Sequence, residues 1–258
     1  MTVRRVALVT AATSSIGRTI AEALAASGHI VYVSGRSVER GMAAVSEMSA
    51  QGEVHFLQAE ALSQDDMEGL VDQIVQRHGR LDVVVNNAGG SGGFAPVHQL
   101  TDEAFDQAIR WNVSSTFWIA RRAIPSMLEH GFGRIINISS VQGKQANRPN
   151  ASHYVTAKHA VNGLTKAIAV EYGRQGITCN AICVGAVETD LMRTAGAASA
   201  KAVGLSYEEY RDGYASKTMI GRLNEPQEIA AMAALLASDA GGGITGAILN
   251  VDGGTCSY

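Results

Sequence analysis

Near its start the chain reads Val3-Arg4-Arg5-Val6-Ala7-Leu8-Val9-Thr10-Ala11-Ala12-Thr13-Ser14-Ser15-Ile16-Gly17. The apolar run over Val3–Val9 predicts a buried β-strand, and the small polar residues behind it predict a turn. Ile20, Ala23 and Leu24 then recur at helical spacing, which predicts a helix directly after the turn. A strand, turn and helix in this order expose the amides and the positive dipole end of the helix, and this arrangement binds phosphate groups.

The same alternation of strand and helix continues along the 258 residues. Short runs rich in valine and isoleucine predict strands at Val3–Val9, Ile30–Ser34, Val54–Gln58, Leu81–Asn86, Arg134–Ser139, Thr178–Val184 and Ala247–Val251. Nearly continuous apolar runs are typical of parallel strands that helices cover on both faces. We therefore predict an α/β protein with a Rossmann-like, doubly wound, seven-stranded parallel sheet, formed by one domain over residues 1–258.

The charge and composition of the chain exclude several classes of function. It carries 21 lysines and arginines against 24 aspartates and glutamates, without a block of like charge, so we expect no nucleic-acid partner and no membrane partner. No stretch approaches the roughly 20 apolar residues of a membrane span, and the first residues lack a signal-peptide layout, so we expect a cytoplasmic protein. Cys179, Cys183 and Cys256 match no zinc or redox spacing, so we interpret them as packing residues and expect no metal site.

Three polar residues in the second half of the chain form a candidate site for carbonyl chemistry. Tyr154 and Lys158 are four residues apart on a predicted helix, so they share a face and the ammonium can stabilise the phenolate. Ser140 ends a predicted apolar strand just upstream, where it can hold a substrate oxygen. The alternative is an ordinary amphipathic helix with one half-buried tyrosine and one solvated lysine.

Further motifs surround these residues in a characteristic order. Asn86-Asn87-Ala88-Gly89 follows the fourth predicted strand, Asn112 lies in a predicted helix, and Val251-Asp252-Gly253-Gly254 closes the last strand. Together with the phosphate turn and the three polar residues, these motifs resemble the short-chain dehydrogenase/reductase family, and the resemblance covers essentially the whole chain.

The resemblance implies roles for four catalytic residues. Tyr154 is expected to act as the general acid/base, Ser140 to hydrogen-bond the substrate oxygen, and Lys158 to lower the pKa of Tyr154 and bind the nicotinamide ribose. Asn112 is expected to hold a water in the proton relay; the alternative is a helix-interior amide that bonds the backbone, although Asn is a poor helix former. Ser139 competes with Ser140, but strand alternation points only one of the two into the site, and the family pattern favours Ser140.

The resemblance also implies a set of cofactor-binding residues. They are Thr10, Ala11, Ser15, Ile16, Arg36, Ser37, Glu60, Ala61, Asn87, Tyr154, Lys158, Val187 and Thr189. Within this set, Asn87 is expected near the adenosine ribose, Glu60 and Ala61 near the adenine, and Val187 and Thr189 beside the nicotinamide amide.

The chain departs from the family pattern at four positions. Ala11 and Ser15 stand at two glycine positions of the phosphate turn, where a side chain is expected to lower cofactor affinity or shift the loop. The Ser15 hydroxyl can compensate by donating to a phosphate oxygen. Glu60 stands where aspartate is usual, and Val184 stands where proline is common before Gly185.

The choice of cofactor is encoded at the end of the second predicted strand. Val33-Ser34-Gly35-Arg36-Ser37 offers no acidic residue to a ribose 2′-hydroxyl, whereas Arg36 can pair with a 2′-phosphate and stack on adenine. We therefore expect NADP(H) rather than NAD(H). The alternative is a solvated arginine in a loop, because the second basic residue that the family has in the phosphate turn is missing.

The substrate is expected to be a small carbonyl or alcohol compound, with thioester-linked ketones among the candidates. Asp190–Lys217 is expected to form a mobile lid. Its larger apolar residues, which either line a pocket or simply pack, are Met192, Leu205, Tyr207, Tyr210 and Tyr214. The loops Ser140-Val141-Gln142-Gly143-Lys144-Gln145 and Gly89–Gly93 resemble those of polyketide and 3-oxoacyl-carrier-protein ketoreductases, whereas Asn180-Ala181-Ile182-Cys183 and Ala157-Lys158-His159 also resemble 3-hydroxybutyrate dehydrogenases.

These resemblances favour a ketoreductase of a 3-oxoacyl or similar ketone. One alternative is an NAD(H)-dependent secondary-alcohol dehydrogenase of the 3-hydroxybutyrate type. Another is a non-catalytic nucleotide sensor or scaffold, for which Ala11 and Ser15 are the best evidence. The resemblance further implies a homo-oligomer, either a dimer or a tetramer.

Overall fold

The strands form one parallel sheet in the computed structural model, which describes residues 4–256. They are β1 Val6–Val9, β2 Ile30–Gly35, β3 Val54–Gln58, β4 Val83–Asn86, β5 Gly133–Ser140, β6 Ile177–Val184 and β7 Ile248–Val251. Their order across the sheet is β3-β2-β1-β4-β5-β6-β7, so the direction of winding reverses at β1, between β2 and β4. This doubly wound topology confirms the predicted fold class.

The boundaries of the strands agree closely with the predicted ones. The predicted start of the first strand, at Val3, lies outside the described residues; within them β1 begins at Val6. The predicted fourth strand began at Leu81, whereas β4 begins at Val83. The cause is Asp82, whose buried carboxylate accepts a hydrogen bond from the Val6 amide at 2.8 Å and so satisfies that amide with a side chain.

Helices cover both faces of the sheet. Within residues 4–256 the α-helices are α1 Ser15–Ala26, α2 Val38–Met48, α3 Gln64–His78, α4 Asp102–Ile109, α5 Ser115–His130, α6 Ser152–Tyr172, α7 Asp190–Ala202, α8 Tyr207–Ala215 and α9 Pro226–Ala237. One buried layer joins α1, α2 and α9 to the sheet, and the other joins α3, α5 and α6. Because successive strand residues point to opposite faces, Ala7 and Val9 belong to the first layer, while Val6 and Leu8 belong to the second.

The starts of the helices distinguish α1 from its neighbours. Five helices, α2, α3, α4, α7 and α8, are capped by the residue before them, whose side-chain oxygen accepts a hydrogen bond from a backbone amide of the first turn. The capping residues are, in this order, Ser37, Ser63, Thr101, Thr189 and Ser206. Ser14, at the same position before α1, makes no such bond, and the first turn of α1 contains no acidic residue. The leading amides of α1 therefore stay available to an external anion.

Neither a membrane-spanning helix nor a cluster of metal ligands is present among the described residues. Among residues 4–256, no helix combines the length and the hydrophobicity that crossing a bilayer requires. Within the same residues, no three His, Cys, Asp or Glu side chains cluster in a way that would hold a metal ion.

Candidate active site

Two cavities open where the parallel strands end. The first cavity has a volume of about 290 Å³ and is lined by residues that follow β1, β2 and β3 and by part of the segment between α3 and α5. Its lining residues are Thr10, Ala11, Thr13, Ser14, Ser34, Gly35, Arg36, Ser37, Arg40, Ala59, Glu60, Ala61, Leu62, Met67, Ala88, Gln107 and Trp111. The second cavity, of about 550 Å³, is lined by Ser140, Val141, Gln142, Asn147, Arg148, Pro149, Tyr154, Val184, Gly185, Ala186, Tyr214, Lys217 and Thr255.

The turn between β1 and α1 keeps a glycine-like conformation without the glycines. Ala11 has φ 50° and Ser15 has φ 52°, both in the left-handed region. A hydrogen bond to β2 fixes this loop, because the Ala12 amide donates to the carbonyl of Ser34 at 2.9 Å. Each residue therefore bears a conformational cost of about 1–2 kcal/mol.

The turn residues divide between ligand-facing and structural positions. Ala11 and Ser14 line the first cavity, whereas Ser15 lines an adjoining groove together with Thr189. Ile16, which was predicted to bind cofactor, packs with its side chain against the buried layer under α1. The predicted contribution of Ile16 can therefore come only from its backbone.

The side chains of Thr10 and Asn87 form hydrogen bonds to the protein backbone. The Thr10 hydroxyl accepts hydrogen bonds from the backbone amides of Asn87 and Ala88, each at 3.0 Å. The Asn87 side-chain nitrogen donates to the carbonyls of Thr10 and Ala11, each at 3.0 Å. Asn87 is not among the residues that line the first cavity, although its neighbour Ala88 is, and its place near the adenosine ribose stays a prediction. The Asn87 side-chain amide links the phosphate turn, which follows β1, to the end of β4, because β1 and β4 are neighbours in the sheet.

Four of the predicted residues meet at the far end of the first cavity. They are Arg36, Ser37, Glu60 and Ala61. Arg36 is exposed, and its Nη1 atom lies 3.9 Å from Oε2 of Glu60. The end of the cavity that faces an adenosine therefore carries charges of both signs.

Arg40 is a cavity residue that sequence reasoning missed. It lies in the first turn of α2 and lines the first cavity together with Arg36. A cation in the first turn opposes the helix dipole, so its presence there was an available signal of an anionic ligand. The first cavity thus has a second basic residue, which comes from α2 rather than from the phosphate turn.

Tyr154 and Lys158 lie on the same face of α6, as predicted. Lys158 is only 5% exposed, so the alternative of a solvated lysine is wrong. Its Nζ atom donates to the carbonyl of Ile138 at 2.9 Å and lies 5.6 Å from the centre of the Tyr154 ring. An ammonium has three donors, so two remain for hydroxyl groups of a ligand.

Burial changes the proton affinity of both groups. It lowers the pKa of Lys158 to about 8, because the charged form loses hydration. Burial also raises the pKa of Tyr154, while hydrogen bonding to Ser140 and the charge of Arg148 act in the opposite direction. This net rise is the reverse of the predicted lowering by Lys158, so the phenol is protonated at neutral pH.

The structure separates the two candidate serines. Ser140 lines the second cavity together with Tyr154, and its hydroxyl accepts the Gln142 amide at 3.2 Å. Ser139 is buried on the other side of β5, next to Cys183. Strand alternation therefore makes Ser140 the serine of the cavity, as predicted.

Asn112 lies in a π-helical turn, Arg110–Ser114, between α4 and α5. Such turns are rare and concentrate at functional sites. Its Nδ2 atom donates to the carbonyls of Gly90 at 2.9 Å and Ala108 at 2.8 Å, and its Oδ1 atom accepts the Gly90 amide at 3.2 Å. The Asn112 side-chain donors are thus used by the backbone, as in the alternative of a backbone-bonded amide, and the role of Asn112 in holding a water stays a prediction. Asn112 positions the glycine-rich loop beside Lys158, since a Cβ atom at Gly89 would collide with Asn112 and lie 3.3 Å from Lys158 Nζ.

In the segment after β6, the side chains of Val187 and Thr189 pack and cap within the protein, and their place beside the nicotinamide amide stays a prediction. Val187 is buried in the layer under α1 and pairs with Asn224, so its side chain does not line the second cavity. Thr189 caps α7 by accepting the Met192 amide at 3.0 Å. The cavity wall is formed instead by the three residues Val184, Gly185 and Ala186 just upstream.

The predicted lid consists of α7 and α8. Oε1 of Glu188 accepts hydrogen bonds from Arg193 at 3.0 Å and from the Tyr207 hydroxyl at 2.9 Å, so it ties both helices to the end of β6. Of the five apolar residues proposed for a pocket, Tyr214 alone lines the second cavity. Leu205 is 44% exposed, so it neither lines this cavity nor packs in the interior.

Comparisons with known proteins agree with this geometry. A family model described as enoyl-(acyl carrier protein) reductase matches residues 10–256. The chain belongs to the short-chain dehydrogenase/reductase family. A 3beta-hydroxysteroid dehydrogenase of Mediterraneibacter gnavus is 38% identical to this short-chain dehydrogenase/reductase over 265 residues, which cover 98% of this chain and 95% of the relative.

Two further relatives carry related names. A D-beta-hydroxybutyrate dehydrogenase of Cupriavidus necator is 36% identical over 252 residues, which cover 97% of this chain and 97% of the relative. The crystal structure of a variant of actinorhodin polyketide ketoreductase with NADPH has a TM-score of 0.92 and 37% identity, and the match covers 99% of this chain and 98% of that one. This short-chain dehydrogenase/reductase is therefore an NAD(P)-dependent oxidoreductase that acts on ketone or hydroxyl groups.

The residues present fit a nicotinamide dinucleotide. The uncapped start of α1 offers backbone amides to a pyrophosphate. Gly17 allows close packing behind the turn, since a Cβ atom there would collide with the Asn87 amide. Lys158 has donors left for ribose hydroxyls, and the first cavity is lined by turn residues. A bound nicotinamide would supply or accept the hydride.

Proposed function

We propose that this protein is an NADP(H)-dependent ketoreductase that reduces a 3-oxoacyl compound or a similar ketone to the secondary alcohol. The observation that carries the proposal is the meeting of Ser140 and Tyr154 in one cavity, with the buried Lys158 one helical turn behind the tyrosine. A protonated phenol and a hydroxyl beside each other can both hydrogen-bond one carbonyl oxygen.

The proton transfer follows from the state of Tyr154. Its raised pKa keeps the phenol protonated at neutral pH, which suits the donation of a proton to a developing alkoxide. Ser140 holds the same oxygen and thereby fixes the carbonyl carbon in place. Lys158, when charged, stabilises the phenolate that is left behind, and its anchor on the Ile138 carbonyl keeps the ammonium in position.

The preference for NADP(H) rests on the charges of the first cavity. Arg36 and Arg40 both line the end that would receive an adenosine, and a guanidinium pairs well with a 2′-phosphate. Glu60 opposes them with one carboxylate 3.9 Å from Arg36. Two cations against one acid favour the phosphorylated cofactor, which is also the cofactor named with the actinorhodin ketoreductase.

Glu60 also favours one alternative function. Its carboxylate can accept a hydrogen bond from a ribose 2′-hydroxyl, as NAD(H) enzymes require. An NAD(H)-dependent secondary-alcohol dehydrogenase of the 3-hydroxybutyrate type is therefore the second candidate, and it matches the name of the Cupriavidus necator relative.

The decisive experiment measures steady-state rates with NADPH and NADH on a panel of ketones, and with NADP⁺ and NAD⁺ on the matching alcohols. Mass spectrometry of the purified protein identifies any cofactor that it carries. The ketoreductase proposal expects the highest kcat/KM for a ketone with NADPH. Higher kcat/KM for an alcohol with NAD⁺ would select the alternative. Dinucleotide binding without turnover on any compound would favour a nucleotide sensor.

We also propose that the protein is a homo-oligomer. Phe105 of α4 and Phe117 and Leu128 of α5 are 37%, 42% and 41% exposed, so these helices carry apolar side chains on their outer surface. Light scattering after size-exclusion chromatography measures the mass directly. A monomer of 27.1 kDa at micromolar concentration would contradict this proposal.

A further inference from the structure

We propose that the second cavity recognises an anionic group on the substrate, a carboxylate or a phosphate, through Arg148 and Lys217. This inference rests on the proposed function, because it concerns the compound that is reduced beside Tyr154. It narrows the substrate class to ketones or alcohols that carry a negative charge away from the reacting carbon.

The charges that line the second cavity have one sign. Its lining contains the cations Arg148 and Lys217 and no acidic residue. Within residues 4–256, neither cation forms an ion pair, whereas many other arginines of the chain do. The positive charge of this cavity is therefore not neutralised by the protein itself.

The two cations come from separate parts of the chain. Arg148 lies in the loop between β5 and α6, and Lys217 follows α8 at the end of the lid. Arg148 stacks on the ring of Phe94, with its Cζ atom 4.0 Å from the ring centre, and the following Pro149 restricts its backbone. Lys217 Nζ lies 5.7 Å from the centre of the Tyr214 ring. Aromatic contacts thus hold both side chains at the cavity without neutralising them.

The start of α6 adds to the positive potential. This helix of 21 residues begins at Ser152 without a side-chain cap and without an acidic residue in its first turn. Tyr154 lies in that first turn and lines the cavity. The dipole of a long helix therefore points its positive end at the same space as the two cations.

The size of the second cavity limits the length of the substrate. A volume of about 550 Å³ leaves room for a short chain between the carbonyl at Tyr154 and the charged group. Both cations are exposed, so they lie at the cavity mouth while Ser140 is buried within. The negative group is thus bound at the mouth and the reacting carbonyl lies inside.

The first arm of the test compares matched substrates. Parent protein is assayed with a short oxo-carboxylic acid and its methyl ester, and with a phosphorylated hydroxyketone and the free hydroxyketone. The inference expects kcat/KM for at least one anionic member to exceed that of its neutral partner by on the order of tenfold or more, since charge-assisted hydrogen bonds are worth about 1.5–3 kcal/mol. Preference for the acid identifies a carboxylate substrate, and preference for the phosphorylated ketone identifies a phosphate.

The second arm uses Arg148→Ala, Lys217→Ala and the double variant. Each single change should raise KM for the anionic compound roughly 3- to 10-fold and leave the neutral partner within about 2-fold. Arg148→Lys should recover part of the loss. Arg174→Ala is the matched control, because Arg174 is an exposed cation in the turn before β6, at the end of the strand away from the cavity. Equal losses on the anionic and neutral compounds would overturn the inference.

A binding measurement separates this inference from the proposed function. Calorimetry of protein loaded with NADP⁺, which has no hydride to donate to a ketone, measures the affinity for each member of the matched pairs without turnover. If ketones are reduced but the anionic and neutral members bind equally, the inference fails and the ketoreductase proposal stands. If nothing is reduced but the anionic member binds tighter and loses this advantage in the double variant, the ketoreductase proposal fails and the anion site stands.

Discussion

The ammonium nitrogen of Lys158 lies 5.6 Å from the centre of the Tyr154 ring and is anchored 2.9 Å from the carbonyl oxygen of Ile138. The two side chains share a face of α6, Lys158 is buried and Tyr154 is partly buried, and loss of hydration shifts the pKa of each toward favouring its neutral form. This arrangement is the basis for the proposed role of Tyr154 as the proton donor.

Replacing the proposed proton donor should abolish most turnover without unfolding the protein. Tyr154→Phe removes only the hydroxyl, so we expect kcat for ketone reduction to fall at least roughly 100-fold while cofactor affinity changes little. Tyr172→Phe, at the other end of α6, is the control and should behave like the parent. A Tyr154→Phe variant that reduces ketones at the parent rate would show that another group donates the proton.

The stability of the protein should depend on pH through Lys158. Its pKa falls from 10.5 to about 8 on folding, so between these values the unfolded chain binds more protons and stability rises with pH. The parent should therefore gain up to about 3 kcal/mol relative to Lys158→Met across this window. Urea unfolding at pH 7.5 and 10 measures the difference, with Lys166→Met on the exposed side of α6 as control. A difference that does not change with pH would mean that Lys158 keeps its ordinary pKa.

Nucleotide selection should depend on both arginines of the first cavity. Arg36→Ala and Arg40→Ala should each weaken NADPH binding by about tenfold and leave NADH within about threefold, because only NADPH loses a charged hydrogen bond. Glu60→Gln should tighten NADPH, since it removes the carboxylate beside Arg36. Arg122→Ala on α5 is the remote control. A parent with equal catalytic efficiency on NADH would rule out the proposed selectivity.

Glycine at positions 11 and 15 should increase the affinity for the cofactor, whereas it should change the free energy of unfolding only slightly. Ala11 and Ser15 already have positive φ, so their strain is present before binding. Relief of that strain is offset by the added freedom of glycine in the unfolded chain, so the free energy of unfolding should change by less than about 1 kcal/mol. If the side chains crowd the pyrophosphate, the Ala11→Gly/Ser15→Gly variant should bind NADPH about tenfold tighter by calorimetry.

The single variants locate the cause of any change in affinity. Ala11→Gly removes a methyl group, whereas Ser15→Gly removes a hydroxyl that can donate to phosphate. Weaker binding confined to Ser15→Gly would show that the hydroxyl contacts the cofactor and that the turn is specialised. In either case kcat at saturating cofactor should stay constant, because these positions are remote from the carbonyl carbon.

The sequence by itself determined the strands, the phosphate turn and the spacing of Tyr154 and Lys158. These features depend on local backbone periodicity, which alternates every residue in a strand and repeats every 3.6 residues in a helix. The same alternation restricted the site to one of the two consecutive serines; the family resemblance favoured Ser140, and the structure places Ser140 in the cavity.

Only the tertiary structure decided which partners the side chains find. Asn87 bonds the turn after β1 and Asn112 bonds Gly90, because the sheet order brings β4 beside β1 and the π turn faces the glycine-rich loop. Arg148 and Lys217 line the same cavity although they are 69 positions apart in the sequence. The direction of the Tyr154 pKa shift is likewise set by how much surrounding protein excludes water. Hydrogen-bond partners and hydration depend on contacts between distant segments, and periodicity along the chain carries no information about those contacts.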